Sequence, residues 1–213
     1  SVDLIQITSK TSIPFAEKNV DSSLMSNLIP IANLIDASKK LKCCPKVIFA
    51  STATVYGMID IQPVSEEVIP RPVSIYDLHK HYAEQHLTMA NNQGLLSVKS
   101  LRLANVYGPS LSESHSEDRG ILSRITKACM QGHSISVYGG GNYLRDYIYI
   151  DDVVDAFLCS GIADSPHMIL NVASGIGTTV KAVFEMIADE VEKNSGISPK
   201  ITDTNWPDNI NII

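Results

Sequence analysis

The chain has 213 residues, 44% of them hydrophobic, and its 23 acidic against 17 basic side chains give a formal net charge of −6. That length buries a substantial core as one domain or one and a half, while the acidic balance argues against a nucleic-acid surface, which needs clustered Lys and Arg. The sequence contains no long apolar run and no signal-peptide pattern, and its four cysteines, Cys43, Cys44, Cys129 and Cys159, lack C-x-x-C spacing, so reduced thiols in a cytoplasmic globular protein without membrane insertion are expected.

In chain order, residues 3–8 are predicted as a strand and about 18–40 as a helix, with Pro30 inside it removing a hydrogen bond at a cost of around 3 kcal/mol and predicting a kink beside Asn27. A buried strand over 46–51, a helix over 75–92 and a strand over 97–103 follow. Strands separated by helices of this length imply parallel βαβ units in an α/β fold. From Pro109 to Gly120 the sequence is Ser-rich and charged, which suits a mobile loop near a binding site. A helix at about 119–131, a short strand at 135–138, a helix at 151–162, a strand at 168–172 and a helix at 178–193 would build a smaller lobe.

The chemistry-bearing residues gather at one predicted sheet edge. The segment from Phe49 to Gly57, F-A-S-T-A-T-V-Y-G, delivers Ser51 and Thr52 to the C-terminal end of a strand, where open α/β sheets place ligands. About two dozen residues later, Tyr76 and Lys80 stand four apart, on one face of a helix. A cation about 4 Å from a phenol at a partly exposed site is worth roughly 4 kcal/mol, enough to lower a phenol pKa of about 10 towards 7. Tyr76 would then serve as a general base near neutral pH. The third signal is Arg102-Leu103-Ala104-Asn105-Val106-Tyr107-Gly108-Pro109, at the end of the next strand.

Other features have plainer readings. His79 and His81, two apart on a helix, do not share a face, and no histidine spacing suggests a metal. Gly175 to Thr179 mimics a phosphate loop but lacks its third glycine and its G-K-[ST] ending, so a turn with a threonine N-cap is expected. Gly139 to Gly141 marks a tight turn. Arg145 beside it either forks onto a phosphate or pairs with Asp146 or Asp151.

Taken together these segments resemble the extended short-chain dehydrogenase/reductase family, in its nucleotide-sugar epimerase and dehydratase branch. The resemblance includes residues 3–8 as a fourth strand, Asn27 as the asparagine that opens the following helix, the run from Gly139 to Asp152 (G-G-G-N-Y-L-R-D-Y-I-Y-I-D-D), and Asn171 to Gly175. It implies a Rossmann-like parallel sheet with helices on both faces, with 1–109 as the C-terminal part of an NAD-binding domain and 110–213 mainly as a substrate lobe, some of whose segments return to the sheet. The glycine-rich phosphate turn and the acidic ribose ligand of such folds are not in the sequence. Trp206-Pro207-Asp208-Asn209 stands where an R-P-G-D-like segment is usual. The chain therefore reads as a truncated or partial one.

Site roles follow from the resemblance. Tyr76 would be the proton acceptor and donor, Lys80 would hold the nicotinamide ribose, and Thr52 would hydrogen-bond the reacting oxygen. Thr8, Ser9 and Ser51 would approach the cofactor. Asn105 and Arg145 would bind the nucleotide diphosphate, and Tyr138 would pack on the base. Ala53 and Thr54 follow Thr52 where 4,6-dehydratases carry an acidic pair, and A-T-V-Y-G is similar to UDP-galactose 4-epimerases. The implied reaction is 4-epimerisation of a UDP-hexose by transient oxidation with NAD, in a homodimer. An NADPH-dependent sugar 4-reductase or a dehydratase of the same family, or a fragment unable to bind dinucleotide alone, are the alternatives.

Overall fold

The computed structural model describes residues 4–7, 12–41, 43–60, 62–109 and 120–206. Its elements in order are β1 (Leu4–Ile7), α1 (Ile13–Lys18), α2 (Val20–Ser38), β2 (Lys46–Thr52), a 3-10 turn (Ala53–Tyr56), α3 (Ile75–Asn92), β3 (Ser97–Leu103) and β4 (Asn105–Tyr107). There follow α4 (Ile121–Met130), β5 (Ile135–Tyr138), a second 3-10 turn (Gly139–Gly141), β6 (Leu144–Tyr149), α5 (Ile150–Ile162), β7 (Ile169–Val172), β8 (Gly177–Thr179), α6 (Val180–Ser195) and β9 (Ile201–Thr204). The chain divides into two compact units, residues 1–104 with 151–172, and residues 105–150 with 173–213.

The first unit is a parallel four-stranded sheet in the order β1-β2-β3-β7. Its two central strands, K-V-I-F-A-S-T and S-V-K-S-L-R-L, are buried along most of their length, as expected for strands covered on both faces. They pair in register from Lys46↔Ser97 to Thr52↔Leu103. Ile31 of α2 and Ala83, Leu87 and Ala90 of α3 close over Val47, Phe49 and Val98 to form the core. A Rossmann-like α/β architecture results.

The helix expected at about 18–40 is present as α2, and two local signals set its start at Val20 and place a separate short helix before it. Ser12 accepts a hydrogen bond from the Phe15 N–H and starts a separate helix with Pro14 in its first turn, and Asn19, at φ −136°, breaks the chain before Val20. α2 then runs through Pro30 as one helix. Asn27 therefore lies in mid-helix rather than at a helix opening. It is buried, and its amide donates to the Ser23 carbonyl at 2.8 Å.

The second unit has a β4-β6-β8 sheet and a parallel β5-β9 pair. Its core joins Cys129, Ile135, Val137, Val180, Phe184 and Ala188, where α4 and α6 pack. The Gly139–Gly141 turn is tight, as expected, with all three residues at positive φ. A Cβ on Gly139 would sit 2.2 Å from the Trp206 indole nitrogen, so glycine is what lets the indole lie on this turn. The Gly175–Thr179 segment ends in a threonine N-cap, Thr179 accepting from the Ala182 N–H at 3.2 Å. The loop expected over 110–119 lies outside the described residues.

Candidate active site

Strand β2 carries its last two residues, Ser51 and Thr52, to the carboxyl edge of the sheet, where both are buried. Thr52 is also the N-cap of the following 3-10 turn, its hydroxyl accepting from the Thr54 N–H at 3.2 Å. The turn closes at Gly57, where any Cβ would collide with the Arg71 carbonyl. α3 begins close by. Ser74 caps it by accepting from the Asp77 N–H at 3.1 Å, and Tyr76 is half-buried in its first turn.

One helical turn later Lys80 is 3% exposed, its ammonium donating to the Ala50 carbonyl at 2.8 Å and lying 4.8 Å over the Phe49 ring. Burial pushes this ammonium from 10.5 down to about 8, while Glu84 pulls the other way. The bond to Ala50 fastens the Tyr76–Lys80 face of α3 to the end of β2. Lys80 has three N–H donors and spends one on Ala50. A sugar or ribose hydroxyl arriving at this edge is the chemistry its remaining donors suit.

The Ser51 hydroxyl is engaged inside the protein. It donates to Glu84 Oε1 at 2.5 Å, and Arg102 grips the same carboxylate through Nε at 3.0 Å and Nη2 at 2.8 Å. Arg102 stacks 4.7 Å over Tyr56, whose hydroxyl donates to Asn171 Oδ1 at 2.7 Å. The side chain of Ser51 is thus part of a buried brace.

A second network was not anticipated from the sequence. Thr52 Oγ1 lies 2.8 Å from Thr54 Oγ1, Thr54 Oγ1 donates to Asp77 Oδ1, and the Ser74 hydroxyl donates to Asp77 Oδ2 at 2.7 Å. Asp77 is 1% exposed. Burial raises its carboxyl above the ordinary value of 3.8, while the hydrogen bonds from Thr54 and Ser74 act against that rise. A readable signal existed in the S-x-x-D spacing of Ser74 and Asp77, a capping pattern.

Asn105, Tyr138 and Arg145 belong to the second unit. Asn105 opens β4 opposite Tyr147, is exposed, and donates to the Asp146 carbonyl at 2.9 Å. Arg145 is exposed rather than buried. Its guanidinium stacks 5.3 Å over Tyr143 and, among the described residues, forms no ion pair. The Asp146 carboxylate is occupied by the Ser174 N–H and hydroxyl and by the Gly175 N–H, at 2.8 to 2.9 Å. Tyr138 stacks on Trp206 with ring centroids 5.4 Å apart, and Tyr143 adjoins the same indole at 6.2 Å. Tyr138, Trp206, Tyr143 and Arg145 thus form a continuous aromatic and cationic shelf. Thr8 and Ser9 lie outside the described residues.

A parallel sheet ending in Ser-Thr, with a tyrosine and a buried lysine one helical turn apart beside it, defines an α/β protein of Rossmann-like class. The chain belongs to the NAD dependent epimerase/dehydratase family, whose profile matches residues 8–173. It is 31% identical over 165 residues to a UDP-glucose 4-epimerase of Mycolicibacterium smegmatis, covering 78% of this chain and 52% of that protein. It is 30% identical to a dTDP-4-dehydro-6-deoxyglucose reductase of Escherichia coli, covering 85% of this chain and 57% of that one. Among solved structures, the UDP-N-acetylglucosamine 4-epimerase of Methanobrevibacter ruminantium M1 matches 98% of this chain and 66% of its own, with a TM-score of 0.84 at 29% identity. The chain spans about half the length of the curated relatives it matches.

Proposed function

We propose that the protein acts as an NAD-dependent nucleotide-sugar 4-epimerase on a UDP-hexose. The observation that supports this reading is the hydrogen bond from Lys80 to the Ala50 carbonyl, which ties α3 to the end of β2 two residues before Thr52. In this reading Tyr76 takes and returns the proton of the C4 hydroxyl, Thr52 hydrogen-bonds the C4 oxygen, and Lys80 holds ribose hydroxyls and keeps the phenol acidic. Bound NAD supplies reversible hydride acceptance. Thr8, Ser9 and the Ser51 backbone approach the cofactor.

The first unit serves the cofactor and the second the substrate. Arg145 and Asn105 meet the diphosphate, and the shelf around Tyr138 meets the base. Ala53 and Thr54 stand where 4,6-dehydratases carry an acidic pair, and neither side chain can do carboxylate acid-base work, which favours epimerisation over dehydration. The named relatives that are UDP-sugar 4-epimerases support the same choice.

In the intact protein, Tyr76→Phe should lower kcat for interconversion of UDP-sugar epimers by roughly 100-fold or more. An undiminished rate refutes the reading. A 4-reductase is the second reading, favoured by the similarity to the Escherichia coli reductase. It would consume external NADPH in step with product, whereas an epimerase turns over with none added.

The protein works as a cytoplasmic homodimer in this reading. No helix among the described residues is long and apolar enough to cross a membrane. α2 and α3 pack side by side and carry exposed Met25, Ile29, Tyr82 and Met89, apolar surface of the kind a second copy would cover.

A further inference from the structure

Trp206, the one tryptophan in the sequence, has no part in the chemistry described so far, yet it lies in the middle of the aromatic shelf. Tyr138 stacks on its indole with ring centroids 5.4 Å apart and planes 25° from parallel, and Tyr143 adjoins it at 6.2 Å. The nitrogen edge of the indole rests against Gly139, which is held at φ +58° and leaves open the space that a Cβ would fill, 2.2 Å away. An indole braced in this way is ordered before a ligand arrives, so little of its stacking energy is lost to immobilising it. It is also partly exposed.

The far end of the shelf carries charge. Arg145 lies 5.3 Å over the Tyr143 ring and donates from Nη1 to the Leu144 carbonyl at 3.0 Å. A guanidinium has five N–H donors, and this one forms no ion pair among the described residues. Two carboxylates of the same unit are spent elsewhere, Asp146 on Ser174 and Gly175, and Asp203 on Lys181 at 3.3 Å. Flat rings followed by an uncompensated guanidinium suit a planar heterocycle joined through a short sugar to a phosphate.

We propose that Trp206 is the base-binding residue: the nucleobase of a nucleoside-diphosphate sugar stacks on its indole, with Tyr138 behind the indole and Arg145 on the diphosphate. The inference rests on the nucleotide-sugar reading above and deepens it, moving the base contact from Tyr138 to a residue that had no assigned role. Stacking accepts any base, because every base has a π-face. Trp206 therefore supplies affinity for a nucleotide over a bare sugar phosphate, and leaves the choice of base to other groups.

The test uses the intact protein, with uridine diphosphate as the ligand that carries a base and inorganic pyrophosphate as the one that does not. Uridine diphosphate should quench the indole emission that Trp206→Phe removes, and pyrophosphate should leave that emission unchanged. Trp206→Ala should weaken uridine diphosphate binding and raise KM for the UDP-sugar by roughly ten-fold to a hundred-fold, with kcat and pyrophosphate affinity near wild type. Trp206→Phe, which keeps an aromatic face, should retain most of the affinity. Gly139→Ala leaves the tryptophan in the chain but places a methyl where the indole nitrogen lies, so it should weaken uridine diphosphate binding in the same direction.

Unchanged uridine diphosphate affinity in Trp206→Ala overturns the inference. So does tighter binding in that variant, which would mean that the indole occupies the place of the base, and so does an equal loss of pyrophosphate affinity, which would mark a purely structural role. The two levels are separable. If UDP-sugar epimers interconvert with a wild-type KM in Trp206→Ala, only the base contact fails; if uridine diphosphate binding depends on Trp206 and no epimer is interconverted, the base contact stands and the 4-epimerase reading fails. A wild-type protein that binds no uridine diphosphate overturns both.

Discussion

Lys80 is the residue at which the proposed function and stability oppose each other most directly. Its ammonium is buried against Phe49 with a neutral carbonyl as partner, and burial holds it near 8 in the folded protein against 10.5 ordinarily. Between those values the unfolded chain keeps a proton that the folded protein has released. Folding is therefore penalised below about 8, and the penalty fades as pH rises towards 10.5. The gap between the values corresponds to roughly 3 kcal/mol. Lys80→Met should raise stability at neutral pH by about 1 to 3 kcal/mol while abolishing catalysis, and its advantage in chemical denaturation should shrink as the comparison moves to alkaline pH. A Lys80→Met protein less stable than wild type at neutral pH would contradict this account. The i, i+4 spacing of Tyr76 and Lys80 was legible in the sequence because a helix converts it into a shared face. That Asp77, between them, turns the other way into a buried hydroxyl network was not, since it depends on where the turn after β2 places Thr54.

At the scale of elements, α3 ties two strands together. Glu84, fully buried, accepts from Ser51 on β2 and from Arg102 on β3. On the same helix the His79 ring nitrogen lies 2.9 Å from the Ser23 hydroxyl of α2. Removing the Glu84 carboxylate strands a guanidinium that is 2% exposed. Glu84→Ala should accordingly cost about 3 to 5 kcal/mol in urea unfolding at neutral pH, and a cost under roughly 1 kcal/mol would mean the brace is not structural. The long elements, 75–92 and 97–103, lie where periodicity put them, because their apolar spacing encodes their period. The short strands β4, β6, β8 and β9 were not anticipated. Segments of three to six residues carry too little pattern of their own and become strands only because a partner pairs with them.

At the scale of the whole molecule, a second copy is expected on the exposed apolar residues of α2 and α3. Sedimentation equilibrium should give twice the protomer mass for the intact protein, and Met25→Lys combined with Met89→Lys should halve it without unfolding the chain. A wild-type protein that stays monomeric at all concentrations rules the dimer out. What the sequence by itself determined was the parallel α/β architecture and the order Thr52, Tyr76, Lys80 along it, because hydrophobic period and i, i+4 spacing are local properties of the chain. Only the tertiary structure decided which polar groups are spent internally. Ser51 is committed to Glu84 and Arg102, Arg145 rests exposed on Tyr143, and Thr54 and Asp77 stand behind Thr52. Hydrogen bonds between residues distant in sequence form where packing brings their partners together, and that meeting is a property of the folded core.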